Sequence, residues 1–134
     1  MLTRLLTMLA LVLCLGAPAQ AQDAEIEAVI SNQIEAFKAD DFARAFTFAS
    51  PNIKRIFGSP ERFGQMVRNG YPMVWRPAEL QFLSQTPEGG AVLQTLRIED
   101  AEGAQHYLEY QMIPTDQGWQ INGVRFIPAP DLAA

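Results

Sequence analysis

Cysteine is nearly missing from this chain: among 134 residues there is one, Cys14. It lies within residues 1–21, a stretch whose pattern predicts removal. The remaining chain is then without a thiol, which excludes disulfides, cysteine nucleophiles and thiolate zinc sites. Histidine is as scarce, with His106 alone. A Ser-His-Asp arrangement needs a histidine beside an exposed nucleophile, and no serine sits in a nucleophile-elbow pattern. One histidine and scattered carboxylates also lack the close spacing that fixes three or four metal ligands, so neither a metal nor another cofactor is expected. Gly89-Gly90 is followed by no Gly-Lys-Ser/Thr, so there is no phosphate loop. Positive charge is in deficit, with 10 Lys+Arg against 15 Asp+Glu and a net charge of −5. That balance excludes a general nucleic-acid binder, which needs a broad basic excess.

Long apolar runs are confined to the start. Arg4 precedes an apolar stretch from Leu5 to Gly16, and Ala19-Gln20-Ala21 then offers small residues for cleavage before Gln22. These are the parts of a secretory signal peptide. A spanning helix needs about 20 apolar residues, whereas this run breaks at Gly16-Ala17-Pro18. A lipoprotein signal would use Cys14 but wants a small residue before it, where Leu13 stands. The expected product is an exported protein of residues 22–134, periplasmic where there is an outer membrane, with no stable membrane anchor after cleavage.

The remaining chain is long enough for one domain. Its first half has helical spacing: Ile26, Ile30, Ile34 and Phe37 form one stripe, with Asp23 placed to cap the start. Asp40-Asp41 interrupts this helix and is expected to cap a second, whose buried stripe is Phe42, Ala45, Phe46 and Ala49. Ser50-Pro51 and Ser59-Pro60 each put a capping hydroxyl before a proline at the first helical position. Gly58 and Gly70 stand where a left-handed residue ends each helix. Ile53, Ile56 and Phe57 are the expected inner face of the third helix, and Phe63, Met66 and Val67 that of the fourth.

After Tyr71-Pro72 the period becomes two. Strands are expected over about 78–86, 90–98, 104–113 and 118–127, joined by turns at Pro87–Gly90, Asp100–Gly103 and Asp116–Gly118. Loops this short join antiparallel neighbours, so the strands form a meander. Helices followed by strands predict an α+β fold with the helices on one sheet face.

The opening helix through Ile26-Glu27-Ala28-Val29-Ile30 to Ala39-Asp40-Asp41-Phe42-Ala43, and the closing strand Gly118-Trp119-Gln120-Ile121-Asn122-Gly123-Val124, resemble the nuclear transport factor 2-like superfamily. The segments Phe46-Thr47-Phe48-Ala49-Ser50-Pro51, Phe57-Gly58-Ser59-Pro60 and Gly70-Tyr71-Pro72-Met73-Val74-Trp75-Arg76-Pro77 resemble an exported bacterial family, domain of unknown function 4864. The likeness covers nearly all of residues 24–127. It implies a strongly curved four-stranded sheet cradling the helices, and it brings no catalytic residues with it.

Three constellations are candidates for function. His106 and Tyr110 share a strand face with Leu108 and Met112, a face expected to be inner. The resemblance implies that a base or acid could stand in such a sheet cavity, giving a small cofactor-free isomerase or hydro-lyase; a hydrogen-bonded pair at a core edge is the plainer account. No acid is seen aimed at His106, since Glu109 faces the other way. Residues 54–76 hold Lys54, Arg55, Arg62, Arg68 and Arg76 against Glu61 alone. Within that zone Arg62, Arg68, Tyr71, Trp75 and Arg76 are the expected ligand-binding residues, because Arg beside aromatics suits flat or anionic ligands; solvated helix faces are the alternative. Third, Phe37, Phe42, Phe46, Phe48, Phe57 and Phe63 gather six of the eight phenylalanines in the helical half. They are either core or the lining of an apolar pocket. The leading expectation is a non-catalytic binding module for a small apolar or anionic ligand or a protein partner, with homodimerisation through the outer sheet face a further expectation.

Overall fold

The computed structural model describes residues 18–130. Residues 1–17, which hold most of the expected export signal including Cys14, lie outside the described residues. The first helix, α1, runs Pro18–Lys38, so Asp23 is an interior helical residue and not the expected cap. The reason is local: Ala19, Gln20, Ala21, Gln22 and Ala24 all favour helix, and proline suits a first helical position. The predicted stripe is buried in full, with Ile26, Ile30, Ile34 and Phe37 joined by Gln33 and Ala36. Each such aliphatic or aromatic side chain contributes about 1.5–3 kcal/mol by leaving water.

Asp40-Asp41 ends one helix and starts the next, as predicted. The amide of Asp41 donates to Ala36 and that of Asp40 to Phe37, while Asp40 takes a left-handed φ of 55°. This is a Schellman ending, with aspartate tolerated where glycine is usual. Asp41 then accepts from the Arg44 amide at 3.1 Å and caps α2, Phe42–Thr47. Ala49, expected in this helix, lies beyond it but is buried. Ser50 and Ser59 cap α3 (Pro51–Phe57) and α4 (Pro60–Gly70), and Gly58 closes α3 at φ 78°.

Two expectations fail here. Gly70 is the last residue of α4 and Tyr71 is the cap, with φ −136°. Pro72 restarts the chain at once as α5, Pro72–Trp75, so a left-handed exit is not needed. Ile56 is 64% exposed rather than inward. On so short a helix Ile53 and Phe57 already cover the inner side, and Ile56 falls on its flank.

The sheet is the predicted meander, order β1-β2-β3-β4, all antiparallel: β1 Glu79–Glu88, β2 Ala91–Glu99, β3 Gln105–Thr115 and β4 Gly118–Phe126. β1 extends past its expected end because it is an edge strand, where Pro87 loses no ladder bond, and Gly89-Gly90 alone makes the turn. Irregularities between Phe82 and Gln85 and between Gln111 and Met112 bend the strands. Val92, Leu96 and Ile98 on β2 and Leu108, Tyr110 and Met112 on β3 are buried against the helices. Residues 48–50 run parallel beside β4, the Ile121 amide donating to Phe48 and the Ser50 amide to Ile121. Thus the α2–α3 connection is stitched to the far edge of the sheet.

Candidate functional site

Between the helical layer and the sheet lies a cavity of about 210 Å³. α1 supplies Gln33 and Phe37, α3 Ile53 and Phe57, and α4 Phe63, Met66 and Val67; Tyr71 and Val74 follow, and the sheet gives Tyr110, Ile121, Gly123 and Val124. Ile53, Phe57, Met66, Tyr71, Gly123 and Val124 are half-exposed, so the mouth lies between α3, the end of α4 and β4. Of the expected aromatic set, Phe37, Phe57 and Phe63 form its helical side. Phe63 is the hub, with ring centroids 5.8 Å from Phe37, 5.2 Å from Phe46 and 5.7 Å from Phe57. Phe42 stands 6.2 Å from Phe37 and, like Phe46 and Phe48, is not a lining residue.

Polar groups on the wall are few. Gln33 commits its amide nitrogen to the Ala45 carbonyl at 3.2 Å. Tyr71 donates its hydroxyl to the Val124 carbonyl at 3.2 Å, and its ring stacks on Phe126 at 5.0 Å. Tyr110 is wholly buried, and its hydroxyl has no hydrogen-bond partner among the described residues. Burial, with Tyr71 nearby, pushes that phenol far above its ordinary range, so it stays a neutral donor. The cavity is large enough for roughly seven waters at liquid density. Few of them would find the two to four polar partners that hold a buried water, so an apolar occupant would displace loosely held solvent.

The structure separates His106 from Tyr110. They share a face, but four residues of strand put them about 13 Å apart at a rise of about 3.3 Å each. His106 does not line the cavity; it stands at the β2–β3 hairpin, with Nε2 2.7 Å from Oδ2 of Asp100. The absence of an aimed acid is thereby corrected. Asp100 Oδ1 also accepts from the amides of Glu102 and Ala104, and the His106 bond together with these holds its carboxyl below the usual range. The acid escaped the sequence reading because it comes from the turn, not from the strand faces.

The expected ligand-binding residues fall into three places. Tyr71 lies at the cavity mouth. Arg62 and Arg68 line a shallow depression on the outer side of α4 with Phe42, Glu61, Gly64 and Gln65. Trp75 and Arg76 are fastened to the end of α1: the indole nitrogen and Nη2 of Arg76 each donate to Oδ1 of Asp40 at 2.9 Å, and Nη1 of Arg76 donates to the Phe37 carbonyl at 2.8 Å. These bonds hold the Asp40 carboxyl below its ordinary value. Arg76 lies 4.2 Å over the Trp75 ring, while Arg68 lies 5.4 Å from the same ring and 4.6 Å from Phe42. Cations and rings therefore meet as the sequence suggested, but Trp75 and Arg76 are spent on joining α5 to α1. Gln33, Met66 and Val124 were missed as cavity residues. Met66 carried a signal as part of the expected inner face of the fourth helix, and Gln33 as a polar residue inside the apolar stripe of α1.

No functionally curated protein matches the chain. Among solved structures it is similar to an NTF2-like protein from Campylobacter jejuni named as a candidate transpeptidase, at TM-score 0.52 and 10% identity, covering 73% of this chain and 97% of that one. It is also similar to an NTF-2 like protein of unknown function from Burkholderia xenovorans LB400, at TM-score 0.47 and 15% identity over 82% of this chain and 91% of the other. The first likeness carries the fold and nothing of the chemistry: the expected nuclear transport factor 2-like α+β architecture is the one observed. Residues 19–134 match the domain of unknown function family DUF4864, and the chain belongs to that family.

Proposed function

We propose that this protein is a non-catalytic binding module of the cell envelope, reached by export, that holds a small and mostly apolar ligand in the cavity between its helices and its sheet. The observation that carries the reading is the Tyr110 hydroxyl, buried at an apolar wall without a partner among the described residues. An unmet buried hydroxyl costs about 1–3 kcal/mol, and a ligand oxygen brought against it recovers that cost. The preferred ligand is thus an apolar body with one polar atom. The acid–base alternative on His106 and Tyr110 gains no support from the geometry, because the two do not converge and His106 does not line the cavity that Tyr110 does.

Native mass spectrometry of the protein recovered from its own envelope should show a retained small molecule. A Tyr110→Phe variant should retain it about five- to tenfold more weakly, yet its ligand-free form should be about 1 kcal/mol more stable, because the unmet hydroxyl is gone. No retained molecule, together with no NMR shift of cavity residues on addition of 1-octanol or octanoate, would sink the proposal.

A further inference from the structure

The described residues include nine lysines and arginines, and their ion pairs divide them by element. Lys38, Arg76, Arg97 and Arg125 each meet a carboxylate. Among the described residues, Arg44 of α2 and the cations of α3 and α4, Lys54, Arg55, Arg62 and Arg68, do not, and α3 and α4 carry one acid, Glu61. The same two helices frame the cavity mouth. Beside it stand the two exposed large apolar side chains among the described residues: Ile56, 64% exposed and next in sequence to the mouth residue Phe57, and Phe126, 49% exposed and stacked on the mouth residue Tyr71. A net charge of −5 gives no general attraction to anions, so the unneutralised cations make this face different from the rest.

From this we infer that the mouth face docks on an anionic lipid bilayer, with Ile56 and Phe126 entering the boundary between headgroups and acyl chains while Lys54 and Arg55 of α3 meet the lipid phosphates. Apolar tips beside cations are the pattern an interfacial surface uses. Basic residues near an anionic leaflet add attraction that fades within a Debye length. An acidic protein partner would be served by the cations alone and would leave the two apolar tips in water. Docking in this pose presents the cavity mouth to the membrane. The inference concerns the surface and does not depend on what occupies the cavity.

The test is co-sedimentation of the full chain with phosphatidylglycerol-containing vesicles and with phosphatidylcholine vesicles. Binding is expected to the anionic vesicles only, and to weaken about tenfold between 0.05 and 0.5 M salt as screening shortens. Lys54→Glu/Arg55→Glu and Ile56→Ser/Phe126→Ser should each reduce it about tenfold or more. Arg97→Glu/Arg125→Glu, a reversal of equal charge on the sheet, should leave it unchanged. Equal loss in the sheet variant, or full binding by the Ile56→Ser/Phe126→Ser variant, overturns the inference. Binding to polyglutamate-coated beads that matches vesicle binding and ignores Ile56 would reassign the face to acidic polypeptides.

Discussion

Aspartate does three kinds of work here, each decided by one or two atoms. Asp40 uses its backbone to end α1 in a left-handed turn and its carboxylate to hold Trp75 and Arg76. Asp41, the next residue, uses its carboxylate to start α2. Asp100 closes the β2–β3 turn and orients His106. The carboxyls of Asp40 and Asp100 are held below the ordinary 3.8, first by the Trp75 and His106 hydrogen bonds respectively. A depressed carboxyl stabilises the fold fully while the unfolded chain would also be ionised, and that help is lost as pH falls through the folded-state value. Urea midpoints should therefore hold steady from pH 7 to about 5 and decline below about pH 4. Asp40→Asn/Asp100→Asn should be less stable at pH 7 and should decline less steeply between pH 4 and 2.5. An unchanged slope in that variant would refute the assignment.

At the scale of elements, the boundaries that the sequence predicted well were those written in side-chain caps. Ser50-Pro51, Ser59-Pro60 and Asp41 each reach an amide of the first turn that they face, and such bonds need no partner from elsewhere. Boundaries that depend on the next element were predicted poorly. Gly70 stands where a left-handed exit is usual, but Pro72 starts α5 two residues on and receives the chain without one. Gly64 shows the same dependence with an energetic sign attached. In an isolated helix, replacing glycine by alanine gains up to about 1 kcal/mol. Here a Cβ at Gly64 would stand 2.5 Å from Cδ1 of Phe42, and that ring is held by Arg68 and by its neighbour Phe37. Gly64→Ala should thus destabilise, by about 1–3 kcal/mol as in other overpacked sites, read as a lower thermal midpoint. A raised midpoint would show that the Phe42 ring moves aside freely.

For the molecule as a whole, the two layers share one core: α1 and the inner faces of β2 and β3 bury each other, and residues 48–50 are bonded to β4. The buried apolar residues of the two layers form one continuous cluster, so unfolding should be a single cooperative transition. Trp75 reports the helical layer and Trp119 the sheet. Urea curves from single-tryptophan variants, Trp75→Phe and Trp119→Phe, should each coincide with far-ultraviolet circular dichroism of the same variant. Separate midpoints within either variant would mean that the layers fold independently. The sequence alone determined the periods, the caps, the turns and hence the α+β meander, because these rest on contacts within a few residues. It also determined that the cations gather on α3 and α4. Only the tertiary structure decided that Tyr110 and not His106 stands at the cavity, that Arg76 is bound to the end of α1, and that Ile56 and Phe126 flank one mouth. Those facts depend on how far the sheet bends and where the helices come to rest on it, which are set by side chains distant in sequence meeting in one interior.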